Sequence, residues 1–216
     1  MRAHNAETQA SVTPRRALQF LKEGNHRFVN NLKLNRNLLS QVNDTRDGQW
    51  PFAVILSCID SRTSAELIFD QGLGDVFSIR IAGNILNNDI LGSMEYACKV
   101  AGSKLILVVG HSKCGAVASA CKDVKLGNIT ELLSKIRPSV LEAQEDAPHL
   151  SNTSSEFIEK VAHININNTV EQIFEKSPIL KELYEAGEIG VAGGYYDVES
   201  GEMEFTIEMI PELAEV

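Results

Sequence analysis

The chain has 216 residues, which is long enough to bury a hydrophobic core in one domain without disulfides or a structural metal. With 20 Lys and Arg against 29 Asp and Glu, its formal net charge is −9, which argues against nucleic acid or an anionic membrane as a partner. No apolar run reaches the about 20 residues of a membrane span, the N-terminal residues lack the apolar region of a signal peptide, and four cysteines are few for a secreted disulfide framework, so a cytoplasmic protein is expected.

The first predicted element is an amphipathic helix that begins at Thr13-Pro14. Threonine caps helix N-termini, and proline is favoured at the first helical position. Residues 1–12 are expected to form a flexible tail before this helix. Residues 32–50 are polar and rich in Asn, so a loop is predicted there. The apolar run 52–57 that follows predicts a short strand buried on both faces.

Two further apolar runs, 76–82 and 105–109, have the same character as the first strand. Between them, residues 89–100 have the composition of a helix. Strands that alternate with helices in this way indicate a parallel sheet with crossover helices.

The C-terminal half of the chain predicts helices and then a hairpin. Residues 129–184 have apolar side chains at helical spacing and are expected to pack on the sheet or on a partner chain. Residues 189–198 and 203–207 read as two strands joined by a turn that contains Gly, which indicates an antiparallel hairpin. The sequence therefore predicts one α/β domain over residues 1–216, with a mostly parallel central sheet, flanking helices and a C-terminal antiparallel hairpin.

Chemically reactive side chains follow two of the predicted strands. Cys58-Ile-Asp60-Ser-Arg62 comes after the first strand, and His111-Ser-Lys-Cys114 comes after the third. In open parallel sheets, ligands bind beyond the carboxyl ends of the strands. Two thiolates and one imidazole are the kind of ligand set that binds catalytic zinc and leaves a fourth position open. Cys58, His111 and Cys114 are therefore the predicted zinc ligands.

Each motif is weak evidence when it is taken alone. A single His-x-x-Cys or Cys-x-Asp occurs in many proteins that bind no metal, whereas both motifs at strand ends of one sheet favour a metal site. A redox dithiol is the rival interpretation, but the Cys-x-x-Cys spacing is absent. Cys98 and Cys121 are expected to be buried thiols without a chemical role.

The Cys-x-Asp-x-Arg and Gly-His-x-x-Cys-Gly motifs together resemble those of the β-class carbonic anhydrases, and the similarity extends from about Thr13 to Ile207. This resemblance implies reversible hydration of CO₂ to bicarbonate and a proton. It also implies one Zn²⁺ per chain, bound by Cys58, His111 and Cys114.

The resemblance further implies a catalytic pair and an oligomer. Asp60 and Arg62 would act as a dyad in which Arg62 holds the carboxylate of Asp60 away from the metal. In a closed state of such a site, Asp60 becomes a fourth metal ligand. The family is built as a dimer, so a homodimer or a dimer-based tetramer is expected, with the N-terminal helix packing on the partner subunit.

Four more positions match residues that line the substrate cleft in this family. Gln49 and Tyr96 match a pair found in the plant-like members, and Phe77 matches a pocket phenylalanine. Ala82 stands where the family usually has valine, within Arg80-Ile-Ala-Gly-Asn84, and is expected to widen the CO₂ pocket. The resemblance thus implies a plant-like subclass with a modified pocket wall.

Two alternative functions remain open at this point. Some proteins with the same scaffold and zinc ligands hydrolyse carbon disulfide or carbonyl sulfide. The other alternative is an interaction protein that keeps zinc only for stability. The presence of both Asp60 and Arg62 counts against it, because a structural zinc site needs neither residue.

Overall fold

The apolar runs of the sequence form the centre of a five-stranded sheet in the computed structural model, which describes residues 3–211. The strands are β1 (Ala53–Ser57), β2 (Val76–Arg80), β3 (Leu105–His111), β4 (Gly190–Tyr196) and β5 (Met203–Met209). Their spatial order is β2-β1-β3-β4-β5. The first four strands pair in parallel, and β5 is antiparallel to β4, as predicted.

Helices cover both faces of this sheet. None of them within residues 3–211 is long and apolar enough to cross a lipid bilayer. The predicted helix at 89–100 is observed as an α-helix (Asn88–Glu95) followed by one turn of π-helix (Tyr96–Val100). The helices are α1 (Ala6–Ala10), α2 (Pro14–Val29), α3 (Leu38–Thr45), α4 (Ala65–Ile68), α5 (Asn88–Glu95), α6 (Gly115–Cys121), α7 (Gly127–Ser134), α8 (Arg137–Asp146), α9 (Ser155–Lys176) and α10 (Pro178–Glu185), with a short 3₁₀ helix at Ala82–Asn84.

Every residue of β1 and β3 is buried, because alternate side chains of each strand meet a different helical layer. On one face, α2 and α4 pack against residues such as Ile55 and Leu107. On the other, α5, α9 and α10 pack against residues such as Leu56 and Val108. Burial on both faces explains why these strands are continuous apolar runs rather than alternating ones. The predicted helical region 129–184 therefore packs on the sheet of its own chain.

The predicted loop at residues 32–50 is wrong, because it contains the helix α3. Asn37 caps this helix, and its side chain accepts a hydrogen bond from the Ser40 amide at 3.0 Å. Asparagine favours both turns and helix N-caps, and the Asn-rich composition alone does not separate the two.

Residues 3–12 of the segment expected to be a flexible tail differ from that expectation, and residues 1 and 2 lie outside the described part of the chain. Residues 6–10 form α1, in which Asn5 and Thr8 make a reciprocal capping box. Gln9 is buried, and its Nε2 donates to the carbonyl oxygens of Pro51 and Ala101, both at 2.8 Å. These bonds attach α1 to the start of β1 and to the turn before β3.

The apolar stripe of α2 lies against its own sheet, where Ala17, Leu18 and Leu21 are buried. This stripe is therefore not the surface that would contact a partner subunit. Packing of the N-terminal helix on a partner stays a prediction, and it would have to use the outer face of α2.

We predict that Gly24→Ala destabilises the fold, because a Cβ at this position would lie 1.8 Å from the Phe69 carbonyl oxygen. Overpacking of this kind costs about 1–3 kcal/mol of unfolding free energy. The matched control is Gly92→Ala in α5, where a Cβ would meet nothing within 4 Å. This control should be neutral or stabilising by up to about 1 kcal/mol. Urea unfolding checks both variants, and a wild-type midpoint for Gly24→Ala would contradict the close packing of α2.

Candidate metal centre

The structure brings Cys58, His111 and Cys114 together at the carboxyl edge of the sheet. Their possible ligand atoms all lie within 4.8 Å of one another, and all three residues are buried. Cys58 directly follows β1, His111 is the last residue of β3, and Cys114 caps the N-terminus of α6. Lys113 has φ 57°, and this left-handed residue turns the chain so that the second cysteine returns toward the histidine.

The imidazole of His111 is oriented by its own backbone neighbour. Its Nδ1 lies 2.9 Å from the carbonyl oxygen of Ser112, and because a carbonyl only accepts, Nδ1 carries the hydrogen. The other ring nitrogen, Nε2, is buried and has no hydrogen-bond partner among residues 3–211. A buried acceptor without a partner is costly, and a metal ion at this position would satisfy it. This orphaned nitrogen, beside two thiols, fits a metal ion.

Cys58 differs from the other three cysteines, because its pKa is lowered, whereas the hydrogen bond within the pair keeps the proton on Cys114 and raises the pKa of that thiol. The hydrogen bond from Cys114 lowers the pKa of the Cys58 thiol to about 4, and the Gly83 amide supports it by donating to Cys58 Sγ at 3.4 Å. Cys58 is therefore favoured as a thiolate, the form that binds metals. By contrast, burial raises the pKa of Cys98 to about 12 and that of Cys121 to about 11. Both are buried free thiols, as predicted.

Asp60 and Arg62 form a bidentate ion pair next to the cluster. Arg62 donates from Nε to Oδ1 at 2.9 Å and from Nη2 to Oδ2 at 2.8 Å, and its backbone amide donates to Oδ1 at 2.9 Å. The side-chain hydrogen bonds from Arg62 hold the pKa of Asp60 well below its usual range. Asp60 is therefore a carboxylate at all ordinary pH values, with both oxygens fixed in direction.

Arg80, at the end of β2, is a site residue to which the sequence assigns no role. Its Nε donates to the carbonyl oxygen of Cys58 at 3.0 Å, and its Nη2 donates to that of Asp60 at 2.5 Å. Arg80 thereby holds the backbone of the loop that carries the Cys58 thiol and the Asp60 carboxylate. The only sequence signal for Arg80 was its place at the start of the motif Arg80-Ile-Ala-Gly-Asn84.

The four predicted substrate-lining residues do not all lie at the cluster. Ala82 lies at the cluster, because it is the first residue of the short 3₁₀ helix and its neighbour Gly83 donates its backbone amide to Cys58 Sγ. Phe77 and Tyr96 instead contact each other edge to face, with ring centroids 6.4 Å apart, and line an open cavity of about 630 Å³. None of the three cluster residues lines that cavity. Gln49 is exposed and makes no hydrogen bond within the described part of the chain.

A family model described as carbonic anhydrase matches residues 53–203, a span that contains the whole cluster and the Asp60–Arg62 pair. The chain belongs to the carbonic anhydrase family. Carbonic anhydrase 2 of Mycobacterium tuberculosis is 37% identical over 200 residues, which cover 88% of this chain and 92% of that protein.

Solved structures place the chain in the β class of that family. The β-carbonic anhydrase CcaA matches with a TM-score of 0.71 and 27% identity, over 90% of this chain and 99% of that one. One of two β-carbonic anhydrases from Sordaria macrospora, described as tetrameric, shares the fold with a TM-score of 0.69 and 24% identity, over 74% of this chain and 83% of that one.

Proposed function

We propose that this protein is a zinc-dependent β-carbonic anhydrase, which hydrates CO₂ reversibly to bicarbonate and a proton. The observation that supports this function most directly is the buried Cys58–His111–Cys114 cluster, with an unpartnered imidazole nitrogen beside an arginine-bound carboxylate. Two sulfur donors and one nitrogen donor suit one Zn²⁺ per chain and leave a fourth position for substrate chemistry. A bound zinc ion supplies the Lewis acidity that activates water for attack on CO₂.

The protein's own contribution is to orient the attacking water. Arg62 uses three donors on Asp60, but a carboxylate has about four lone-pair sites, so Asp60 can accept one more hydrogen bond from the water. That bond turns a lone pair of the water toward CO₂. A closed state with Asp60 as a fourth ligand would require the bonds from Arg62 to break. We therefore propose that the open state predominates, as in the plant-like subclass to which Gln49 and Tyr96 point.

The substrate pocket is best explained by a homodimer. β2 is an edge strand, and its residue Phe77, which packs partly buried on the core, lies next to Tyr96, which is 54% exposed. On the loop at the metal cluster, Ile59 is 61% exposed. Exposed apolar side chains at both places suit an interface. We propose that Phe77, Tyr96 and Gln49 of one copy complete the cleft whose metal ligands and Ala82 belong to the other, in a dimer or a dimer-based tetramer.

The alternatives have less support. An interaction protein that keeps zinc only for stability has no use for the intact Asp60–Arg62 pair. A carbon disulfide or carbonyl sulfide hydrolase would use the same ligands, so turnover of CO₂ and of both sulfur compounds should be compared. We also propose a cytoplasmic location, because Cys58, Cys98, Cys114 and Cys121 are all free, as is typical of a reducing compartment.

We predict that Asp60→Asn and Arg62→Ala each keep their zinc but lower kcat/KM for CO₂ hydration by about 10- to 100-fold, as expected for groups that orient a metal site. In Arg62→Ala the pKa of Asp60 should return toward about 3.9, which still lies below neutrality. In Asp60→Asn, kcat/KM should fall by the same factor at every pH above neutral, whereas in Arg62→Ala the released Asp60 carboxylate can take the fourth metal position, so the loss should be larger at lower pH. Stopped-flow hydration assays with Asp123→Asn as a distant surface control check this, and wild-type turnover in either site variant would contradict the dyad.

The proposed dimer predicts complementation between inactive chains. Cys114→Ser lacks a metal ligand and Tyr96→Ala lacks a pocket wall, so a mixed dimer contains one site with both parts intact. If subunits pair at random, co-refolding equal amounts should restore about a quarter of the wild-type sites. As the control, a mixture of Cys114→Ser and Asp60→Asn should show no gain over the residual activity of Asp60→Asn, since both changes affect the same half of the cleft. Failure of the first mixture, with mixed dimers verified by mass, would place Tyr96 outside the partner's cleft.

A further inference from the structure

Ser112, which lies between two of the cluster residues, makes four hydrogen bonds. Its amide donates to the carbonyl oxygen of Tyr196 at 2.9 Å. Its hydroxyl donates to Asp197 Oδ1 at 2.9 Å and accepts from the Val198 amide at 2.9 Å. Its carbonyl oxygen accepts from His111 Nδ1 at 2.9 Å. Ser112 orients the imidazole, and the turn between β4 and β5 in turn holds Ser112 in place.

The carboxylate of Asp197 is the centre of that turn. Oδ1 also accepts from the Glu199 amide at 3.0 Å, and Oδ2 accepts from the Ser200 hydroxyl at 3.0 Å. The amide of Glu199 is the main reason that the pKa of Asp197 lies below its usual value. A second link joins the same two segments, an ion pair between Lys113 and Glu199 on the surface. The turn thus contacts both residues that separate His111 from Cys114.

The far end of the turn is attached to the rest of the fold by Asn25 of α2. Its buried side chain donates to the carbonyl oxygens of Gly201 at 2.9 Å and Ile68 at 3.1 Å, and its Oδ1 accepts from the Met203 amide at 3.0 Å. The turn is therefore fixed at both ends. It can act as a rigid support for the loop that contains the metal ligands.

We propose that Asp197 is a positioning residue for the metal ligand His111 and acts through Ser112. This assignment rests on the metal site of the proposed function. The carboxylate fixes the Ser112 side chain and hence its peptide group, whose carbonyl sets the plane of the imidazole and keeps the hydrogen on Nδ1. The lone pair of Nε2 then points to the metal before the metal arrives. Partners of metal ligands in such positions change metal affinity by about 10- to 100-fold when they are removed.

The test measures the rate at which purified holoprotein releases zinc to an excess of chelator. Asp197→Ala and Ser112→Ala should release zinc at least about 10-fold faster than wild type. Asp197→Asn, whose amide oxygen still accepts from Ser112, should recover most of the wild-type rate. Ser200→Ala is the matched control, because it removes a bond to the same carboxylate but leaves Ser112 untouched. If Asp197→Ala does not fold, Ser112→Ala and the Asn variant decide the question.

Absorption of the cobalt(II)-substituted protein separates positioning from simple loss of stability. The ligand-field bands should shift in Asp197→Ala and Ser112→Ala but not in Ser200→Ala, because only the first two changes release the imidazole. Wild-type zinc release in both of those variants would overturn the role of Asp197 and leave the metal site intact. A wild-type protein that binds no zinc would overturn the proposed function and this assignment together.

Discussion

The site depends on one constraint, the parallel pairing of β1 with β3. In this pairing Ser57 lies opposite Val109, so that Cys58 and His111 emerge at the same edge of the sheet within ligand distance. Both strands are buried on both faces, and a shift by one residue would turn each apolar side chain toward the wrong helical layer. The packing of the core therefore fixes the distance between these two predicted metal ligands.

The polar and charged groups around the cluster are the second determinant of the site. Three buried donor groups converge without a partner for one imidazole nitrogen, while the nearest carboxylate is already bound by Arg62. Both oxygens of Asp60 are thus fixed in direction by Arg62. Arg80 fixes the backbone on one side of the cluster, and the turn around Asp197 fixes it on the other. Two separate hydrogen-bond systems therefore hold the loops that carry the predicted metal ligands.

The sequence predicts those parts of the fold that are determined by burial and local pattern. The runs at 52–57 and 105–109 indicate strands covered on both faces, and the two motifs after them indicate the cluster. The helix α3 was missed because Asn37 is a helix cap within a composition typical of loops. The role of Ser112 could not be predicted, because its partner Asp197 is 85 residues away and no local pattern connects them. The substrate-lining role of Phe77 and Tyr96 is predicted only by resemblance, and within one chain they line a separate cavity.

X-ray absorption at the zinc K edge of the purified protein tests the central claim most directly. Because β1 and the loop after β3 each supply one thiolate, the spectrum should show two sulfur neighbours per zinc at about 2.3 Å, with only nitrogen or oxygen in the remaining positions. A zinc environment with one sulfur or none would mean that Cys58 and Cys114 do not bind the same ion. The strand pairing would then not be what builds the metal centre.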